Sequence, residues 1–330
     1  MTPRDSTASQ SERQALNVIQ RIKESHVDGC RYAIGIDVAA SMDNWGLSII
    51  RIGDLPSKHE IIAVFPHSLQ TKNGAEDKTR YCRPTTLVLT TLLQWVSAGQ
   101  LKTAIAVDVP FGWPSLHREF LNSFSAKTGL VQSRQMPSRM NFERRLCDIT
   151  ISTKFKDRRV APLSVSADTL GQAAFRWAEE RKALQPILGC IDVGLPLDCD
   201  QSVHCFETYP AAFVRCCFPS QASYKSAKEI PARRALLAEL FQAYRVLPTA
   251  NSEVWCERAI NQSGSPDALD SLLCAFCAWD YLELRSNKPS IVMSTPEKIL
   301  GRPLTADDIS RVETEGWILF RYEAFGIDPA

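Results

Sequence analysis

Three short, largely apolar runs of this chain each end on a carboxylate, and this pattern constrains the fold more than any other feature. The runs are Tyr32–Asp37, Thr103–Asp108 and Val203–Glu207. Apolar runs of this length with several β-branched residues predict buried strands. An isolated carboxylate at the end of a buried strand costs several kcal/mol unless it is paired. The sequence therefore predicts that these acids share a partner, and a metal ion is one such partner.

The runs between these strands predict an α/β fold with one mixed sheet flanked by helices. Two more strands, at 45–52 and 60–65, follow the first across short turns, which is the spacing of an antiparallel meander. Residues 112–200 give weaker signals and are interpreted as a mostly helical, basic insertion into a domain that spans 30–330. Residues 1–29 form an N-terminal helical arm in this interpretation. The predicted helices are 85–96, 117–124, 141–150, 170–184, 232–244 and 266–284.

Composition excludes several classes of protein. Of the 330 residues, 45% are hydrophobic, and 38 basic residues nearly balance 37 acidic ones, so bulk charge does not direct the chain to nucleic acid or membranes. No window approaches the 18 uncharged apolar residues of a membrane span. The polar first 20 residues do not resemble a signal peptide, and the odd number of cysteines, 11, is typical of free thiols. These features predict a cytoplasmic protein without a membrane partner.

A fourth group of carboxylates begins a predicted helix. Ser265 and Pro266 suit the cap and the first position of that helix, which places Asp267 and Asp270 on one face of its first two turns. Each acid alone has an ordinary explanation as a turn former, a helix cap or a favourable charge at the helix N-terminus. Four clustered carboxylates, however, repel one another and normally require a divalent cation. Mg²⁺ or Mn²⁺ is the expected cofactor, because hard cations prefer oxygen ligands and retain substrate phosphates in their shell.

Seven short motifs, in order, resemble a known family. They are Gly35-Ile36-Asp37 with Asn44-Trp45-Gly46, Val107-Asp108-Val109-Pro110-Phe111-Gly112, Arg145-Leu146-Cys147-Asp148, Glu207-Thr208-Tyr209-Pro210, Lys225, Asp267-Ala268-Leu269-Asp270, and Glu315-Gly316-Trp317-Ile318. The set is similar to the predicted RNase H-like nucleases grouped as family 429 of the domains of unknown function. Each motif is weak alone, whereas the ordered set spans most of the chain and is fairly specific.

The resemblance implies a ribonuclease H-like fold and hydrolysis of phosphodiester bonds by two metal ions. In that mechanism Asp37 would bridge both ions, while Asp108 and Glu207 would each hold one. Asp270, together with Asp267, would complete the second metal site from the helix. The implied catalytic residues are Asp37, Asp108, Glu207 and Asp270. Lys225 either contacts the scissile phosphate or is an ordinary surface lysine.

A basic segment supplies a candidate surface for nucleic acid, the expected partner. Residues 134–159 contain eight basic and three acidic side chains, a local charge of +5. The predicted substrate-binding residues in it are Arg145, Lys154, Lys156 and Arg158. The alternative is an ordinary solvated surface in which Arg145 pairs with Asp148 at helical spacing.

Two other functional classes remain open from sequence. An actin-like or sugar-kinase-like ATPase also begins with an acid after its first strand, but such enzymes need glycine-rich hairpins that approach phosphates. This chain has 15 glycines and no Gly-Gly pair, which disfavours that class. A catalytically silent module on a nuclease fold, binding nucleic acid or protein, is the second alternative.

Overall fold

The structure is a computed structural model. It describes residues 10–39, 45–55, 58–65, 67–70, 76–82, 85–125, 129–130, 143–165, 168–196, 201–225, 230–246, 257, 260, 267–286 and 291–323.

A six-stranded mixed sheet organises the described residues. Its strands are β1 (Arg31–Asp37), β2 (Gly46–Ile52), β3 (Glu60–Phe65), β6 (Thr103–Asp108), β9 (Cys190–Asp192) and β10 (Val203–Glu207). Their spatial order is β3-β2-β1-β6-β10-β9. The pairs β1–β2 and β2–β3 are antiparallel, whereas β6 is parallel to both β1 and β10, and β9 is parallel to β10. The predicted meander and the α/β class are confirmed.

Helices cover both faces of this sheet. They are α1 (Gln10–Glu24), α2 (Thr86–Ala98), α3 (Ser115–Ser123), α4 (Leu146–Lys154), α5 (Asp168–Leu188), α6 (Pro210–Cys217), α7 (Ile230–Tyr244), α8 (Asp267–Arg285), α9 (Pro296–Leu300) and α10 (Ala306–Glu315). One core contains buried residues of α4, α6, α7 and α8, and a second core contains those of α1, α2 and α5. Alternate residues of β1, β6 and β10 contribute to opposite cores, as the two-residue period of a strand requires.

Helix α8 lies directly on the backbone of the first two strands because two glycines leave room for it. A methyl group on Gly35 would overlap the carbonyl oxygen of Ser271 and the backbone nitrogen of Ala275. A methyl group on Gly46 would overlap the carbonyl oxygen of Asp267. Ser48 strengthens the contact, since its hydroxyl lies 2.7 Å from that of Ser271 in the buried interface. These close approaches fix the N-terminal turn of α8 above the ends of β1 and β2.

Several elements differ from the sequence-based predictions. The hairpin of β4 (His67–Gln70) and β5 (Glu76–Cys82) was not predicted, although Asn73-Gly74 between its strands is a typical hairpin signal. The short strand β9 and the helices α9 and α10 were also missed. A second small hairpin pairs β7 (Phe124–Ser125) with β8 (Gly129–Leu130). Helix α4 begins at Leu146 rather than near residue 141; residues 134–142 lie outside the described part of the chain.

The N-terminal helix is integrated into the body of the protein. Ala15, Ile19 and Ile22 are buried in the core that also contains residues of β1 and β6. Helix α1 packs mainly against α2. The helical spacing of these apolar residues therefore predicted its buried face correctly.

We expect Gly35→Ala to destabilise the protein by at least about 3 kcal/mol, because the added methyl group meets backbone atoms that cannot rotate away. Urea unfolding of the purified variant measures this loss. Gly99→Ala is the matched control, since Gly99 has a φ of −79° and a methyl group there first meets the flexible side chain of Leu101. Equal stabilities of the two variants would contradict the proposed close packing.

Candidate functional site

Asp37 and Asp108 end neighbouring parallel strands and stand side by side. They are direct register partners across β1 and β6, so both side chains lie on the same face of the sheet. That face is the one covered by α8, because Gly35, two residues before Asp37, meets the helix backbone. The structure thus brings these two predicted acids together beneath the start of α8.

Asp267 and Asp270 reach the same place from the helix. Helix α8 begins at Asp267, whose carbonyl oxygen lies over Gly46, the register partner of Asp37. Asp270, one turn further along, is 3% exposed. The predicted capping residues 265 and 266 lie outside the described residues. Strand ends and helix start together form an acidic cluster of four residues: Asp37, Asp108, Asp267 and Asp270.

Burial and mutual repulsion raise the pKa values of the two strand acids. Desolvation raises the pKa of Asp37 well above its ordinary value, and the charges of Asp270, Asp108 and Asp267 raise it further. Desolvation also raises the pKa of Asp108, to about 7, although the positive charge of Lys225 opposes the shift. Perturbed carboxylates of this kind are typical of functional sites.

Among the described residues, Lys225 is the cation that contacts this cluster. Its ammonium Nζ lies 2.8 Å from Oδ2 of Asp270, and the lysine side chain is 43% exposed. The charges of Asp270, Asp108 and Asp37 raise the pKa of Lys225 in spite of its desolvation. The neighbouring Tyr224 donates its hydroxyl to Oδ1 of Asp270 at 2.7 Å. Tyr224 was not predicted from the sequence, although it directly precedes the predicted Lys225.

Glu207 lies apart from the acidic cluster in this structure, although its charge is among those that raise the pKa of Asp108. Its role as a metal ligand and catalytic residue stays a prediction. Its register partner is Val107 rather than Asp108, so the alternation of the strand directs its side chain to the opposite face. Its carboxylate accepts hydrogen bonds from Nη1 and Nη2 of Arg145, at 2.7 and 2.6 Å, and from the backbone N–H of Phe111 at 2.9 Å. The sequence showed the acid at the strand end but not this one-residue offset.

Arg145, predicted to bind substrate, is instead an interior residue. It is 1% exposed, and its guanidinium also donates to both carboxylate oxygens of Asp148 and to the carbonyl oxygen of Glu315. The alternative suggested by the i, i+3 spacing, a pair with Asp148, is therefore present. Glu315, a residue missed as a network member, accepts hydrogen bonds from Ser115 and from the backbone of Leu146.

The remaining predicted basic residues lie outside the interior. Lys154 and Lys156 are exposed. Arg158 donates to the carbonyl oxygens of Cys216 and Tyr322, so its guanidinium also fixes α6 and the C-terminal segment. Arg215 of α6 donates to the carbonyl oxygen of Arg159. This group of exposed or half-buried cations (Lys154, Lys156, Arg158, Arg159 and Arg215) is called the basic rim below.

Tyr209 lies near residues of both the basic rim and the acidic cluster. Desolvation and the charges of Asp108 and Asp270 raise the pKa of this tyrosine, whereas those of Lys225 and Arg215 lower it. Its hydroxyl also points to the carbonyl oxygen of Ala161, on the segment that follows the rim. Tyr209 therefore lies near Asp108 and Asp270 of the cluster and near Arg215 of the rim.

The donor set of the cluster suits a hard divalent cation, because all four side chains offer carboxylate oxygens. The positions of these carboxylates in the structure, however, do not form a metal-binding site. Among the described residues, no group of three or more His, Cys, Asp or Glu side chains is placed to hold a metal ion. The two oxygens of Asp270 are engaged by Lys225 and Tyr224. The carboxylate ligands thus suit a divalent cation chemically, but in this structure Asp270 binds Lys225 instead.

Because the strand acids have raised pKa values, the free energy of unfolding of the metal-free protein should fall as pH rises. The pKa of Asp108 in the folded state, about 7, exceeds its ordinary value of 3.8. Between these values the folded state holds a proton that the unfolded state has lost, so stability falls with rising pH. We expect Asp108→Asn to stabilise the protein at pH 8 by about 2 to 4 kcal/mol more than at pH 5. Urea unfolding in the presence of a chelator measures both values.

Comparison with the parent at each pH removes the contributions of other titrating groups. Asp307→Asn, at an exposed position of α10, is the control and should show no such dependence. An Asp108→Asn effect of equal size at pH 5 and pH 8 would contradict the raised pKa.

Arg145→Met should cost about 3 to 5 kcal/mol, because it leaves the buried carboxylates of Asp148 and Glu207 without their cation. Arg234→Met should cost less than about 1 kcal/mol, since the pair of Arg234 with Glu257 is exposed. Chemical unfolding of both variants tests the difference. A stable Arg145→Met variant with weakened nucleic-acid binding would restore the substrate-binding role.

The family described as "Protein of unknown function (DUF429)" matches residues 54–288, more than two thirds of the chain. Neither the curated proteins nor the solved structures contain a match to this sequence. In the described part of the chain, no helix combines the length and apolar character needed to cross a membrane.

Proposed function

This chain belongs to the DUF429 family of proteins of unknown function, and we propose that it is a metal-dependent nuclease that hydrolyses phosphodiester bonds. The observation that carries the proposal is the pairing of Asp37 with Asp108 beneath Asp270. Three buried or half-buried carboxylates in mutual electrostatic contact need positive charge, and one lysine is the cation beside them.

The strand order supports a ribonuclease H-like assignment of the fold within this proposal. An antiparallel meander, β1 to β3, is followed by strands parallel to β1, and the first strand lies in the interior of the sheet. The first acid of the proposed site ends that interior strand. Helix α8 then supplies two acids from its first two turns.

Mg²⁺ or Mn²⁺ is the proposed cofactor. Asp37 and Asp108 would hold it from the sheet, and Asp270 with Asp267 from the helix. A divalent cation bound to these oxygens would lower the pKa of a coordinated water and neutralise charge on a phosphate. Glu207 is not part of this proposed ligand set, because Arg145 and the backbone of Phe111 engage its carboxylate.

The basic rim supports nucleic acid as the proposed substrate. An acidic cluster alone repels a phosphate backbone, so a nuclease needs cations beside its metal ligands. Lys154 and Lys156 offer exposed charges, and Arg215 lies close enough to the site to influence the pKa of Tyr209 together with Asp108.

Asp37→Asn should abolish metal-dependent cleavage, lowering the rate by at least about a thousandfold, because the amide keeps the shape and removes the charge of the central ligand. The assay follows cleavage of labelled RNA and DNA with Mg²⁺ or Mn²⁺, and ATP turnover in parallel. Asp307→Asn, on the exposed surface of α10, is the control for charge loss elsewhere. It is expected to cleave as the parent does.

The outcomes distinguish the three functional classes. Cleavage by the parent and not by Asp37→Asn supports the nuclease, and it also excludes a contaminating activity. Turnover of ATP without cleavage assigns the site to a phosphotransferase. A folded parent that binds nucleic acid and performs neither reaction is a binding module, and the proposed activity is then wrong.

A further inference from the structure

The acidic cluster already contains a cation that the chain itself supplies. Lys225 Nζ lies 2.8 Å from Oδ2 of Asp270, an acid in the first two turns of α8, which begin above the end of β1. A divalent cation would need the same oxygens.

The surroundings of Asp270 show why the two cations exclude each other. Tyr224 donates to Oδ1 of Asp270, and Lys225 occupies Oδ2. Tyr224 is held in turn, because Arg233 donates to its carbonyl oxygen from the buried face of α7. The consecutive pair Tyr224-Lys225 therefore engages both oxygens of the one fully buried carboxylate of the cluster.

We propose that Lys225 is an internal counter-ion that competes with the divalent cation for Asp270 and must leave this carboxylate before the metal binds. The proposal rests on the metal-dependent function proposed above. It accounts for a cluster whose ligand chemistry suits Mg²⁺ while its side chains are not placed to hold a metal ion. It also gives the lysine a role in the metal-free protein that differs from a contact with substrate.

The exposed side chain of Lys225 can leave Asp270 without a change in the backbone. Lys225 is 43% exposed, whereas Asp270 is buried, so the lysine can move toward solvent while the carboxylate stays in place. Its flexible four-carbon stem permits the movement without a change in the backbone. Once displaced, the ammonium remains charged at neutral pH and is available for the phosphate contact that the sequence suggests.

Removal of the lysine charge should tighten metal binding. We expect Lys225→Met to bind Mn²⁺ at least about tenfold more tightly than the parent, because the ion no longer has to displace a positive charge at Asp270. Lys225→Gln, which keeps a hydrogen-bond donor but no charge, should show the same direction. Isothermal titration with MnCl₂ alone, without nucleic acid, gives both affinities.

Lys298→Met is the matched control, since Lys298 is an exposed lysine of α9, and it should leave Mn²⁺ affinity unchanged. Mn²⁺ binding by both Lys225 variants with an affinity equal to or weaker than that of the parent would overturn the counter-ion role and leave the metal site intact. Binding by the variants but not by the parent would support the competition in its strongest form. Absence of Mn²⁺ binding from every protein would overturn the metal site itself, and the competition with it.

Discussion

The contact between helix α8 and the backbone of strands β1 and β2 is the constraint on which the rest of the site depends. Gly35 and Gly46 allow the helix to lie closer than any side chain would permit. The buried hydroxyl pair Ser48–Ser271 fixes the position of the helix along the strands. Asp267 and Asp270 stand in the first two turns of α8, so this contact brings them close to Asp37. Apolar side chains along α8 pack in the core and stabilise the arrangement.

The strand-end acids lie on both faces of the sheet and therefore meet different surroundings. Asp37 and Asp108 share a register position and turn toward α8, whereas Glu207 is offset by one residue. On its own face, Glu207 meets a guanidinium that also binds Asp148, and this buried network is satisfied internally. In the cluster under α8, four carboxyl groups face one cation among the described residues. An excess of carboxyl groups over cations, rather than the presence of acids, distinguishes a candidate site from a structural ion pair.

Much of the sheet was predictable from sequence, because strands buried on both faces leave continuous apolar runs such as those before Asp37 and Asp108. The same runs located the acids, and the spacing of Asp267 and Asp270 placed them on one helical face. Register was not predictable, since the partner of Glu207 depends on where β10 lies relative to β6. The burial of Arg145 could not be predicted for a similar reason. Its partners Glu207 and Glu315 lie 62 and 170 residues away in the chain, so local charge counts described it as surface.

The network around Arg145 makes the order of synthesis matter for this fold. Leu319 donates its backbone N–H to the carbonyl oxygen of Glu207, and Ile318 forms a bridge with the same residue. The backbone N–H of Leu146 likewise donates to the carboxylate of Glu315. A nascent chain therefore completes β1, β6 and β10 long before the residues that cover their edge leave the ribosome. Until residues 315–319 have been synthesised, polar groups of the growing domain stay open to solvent or to chaperones. The interior around Arg145 can therefore close only after strand β10 has been followed by more than 100 further residues.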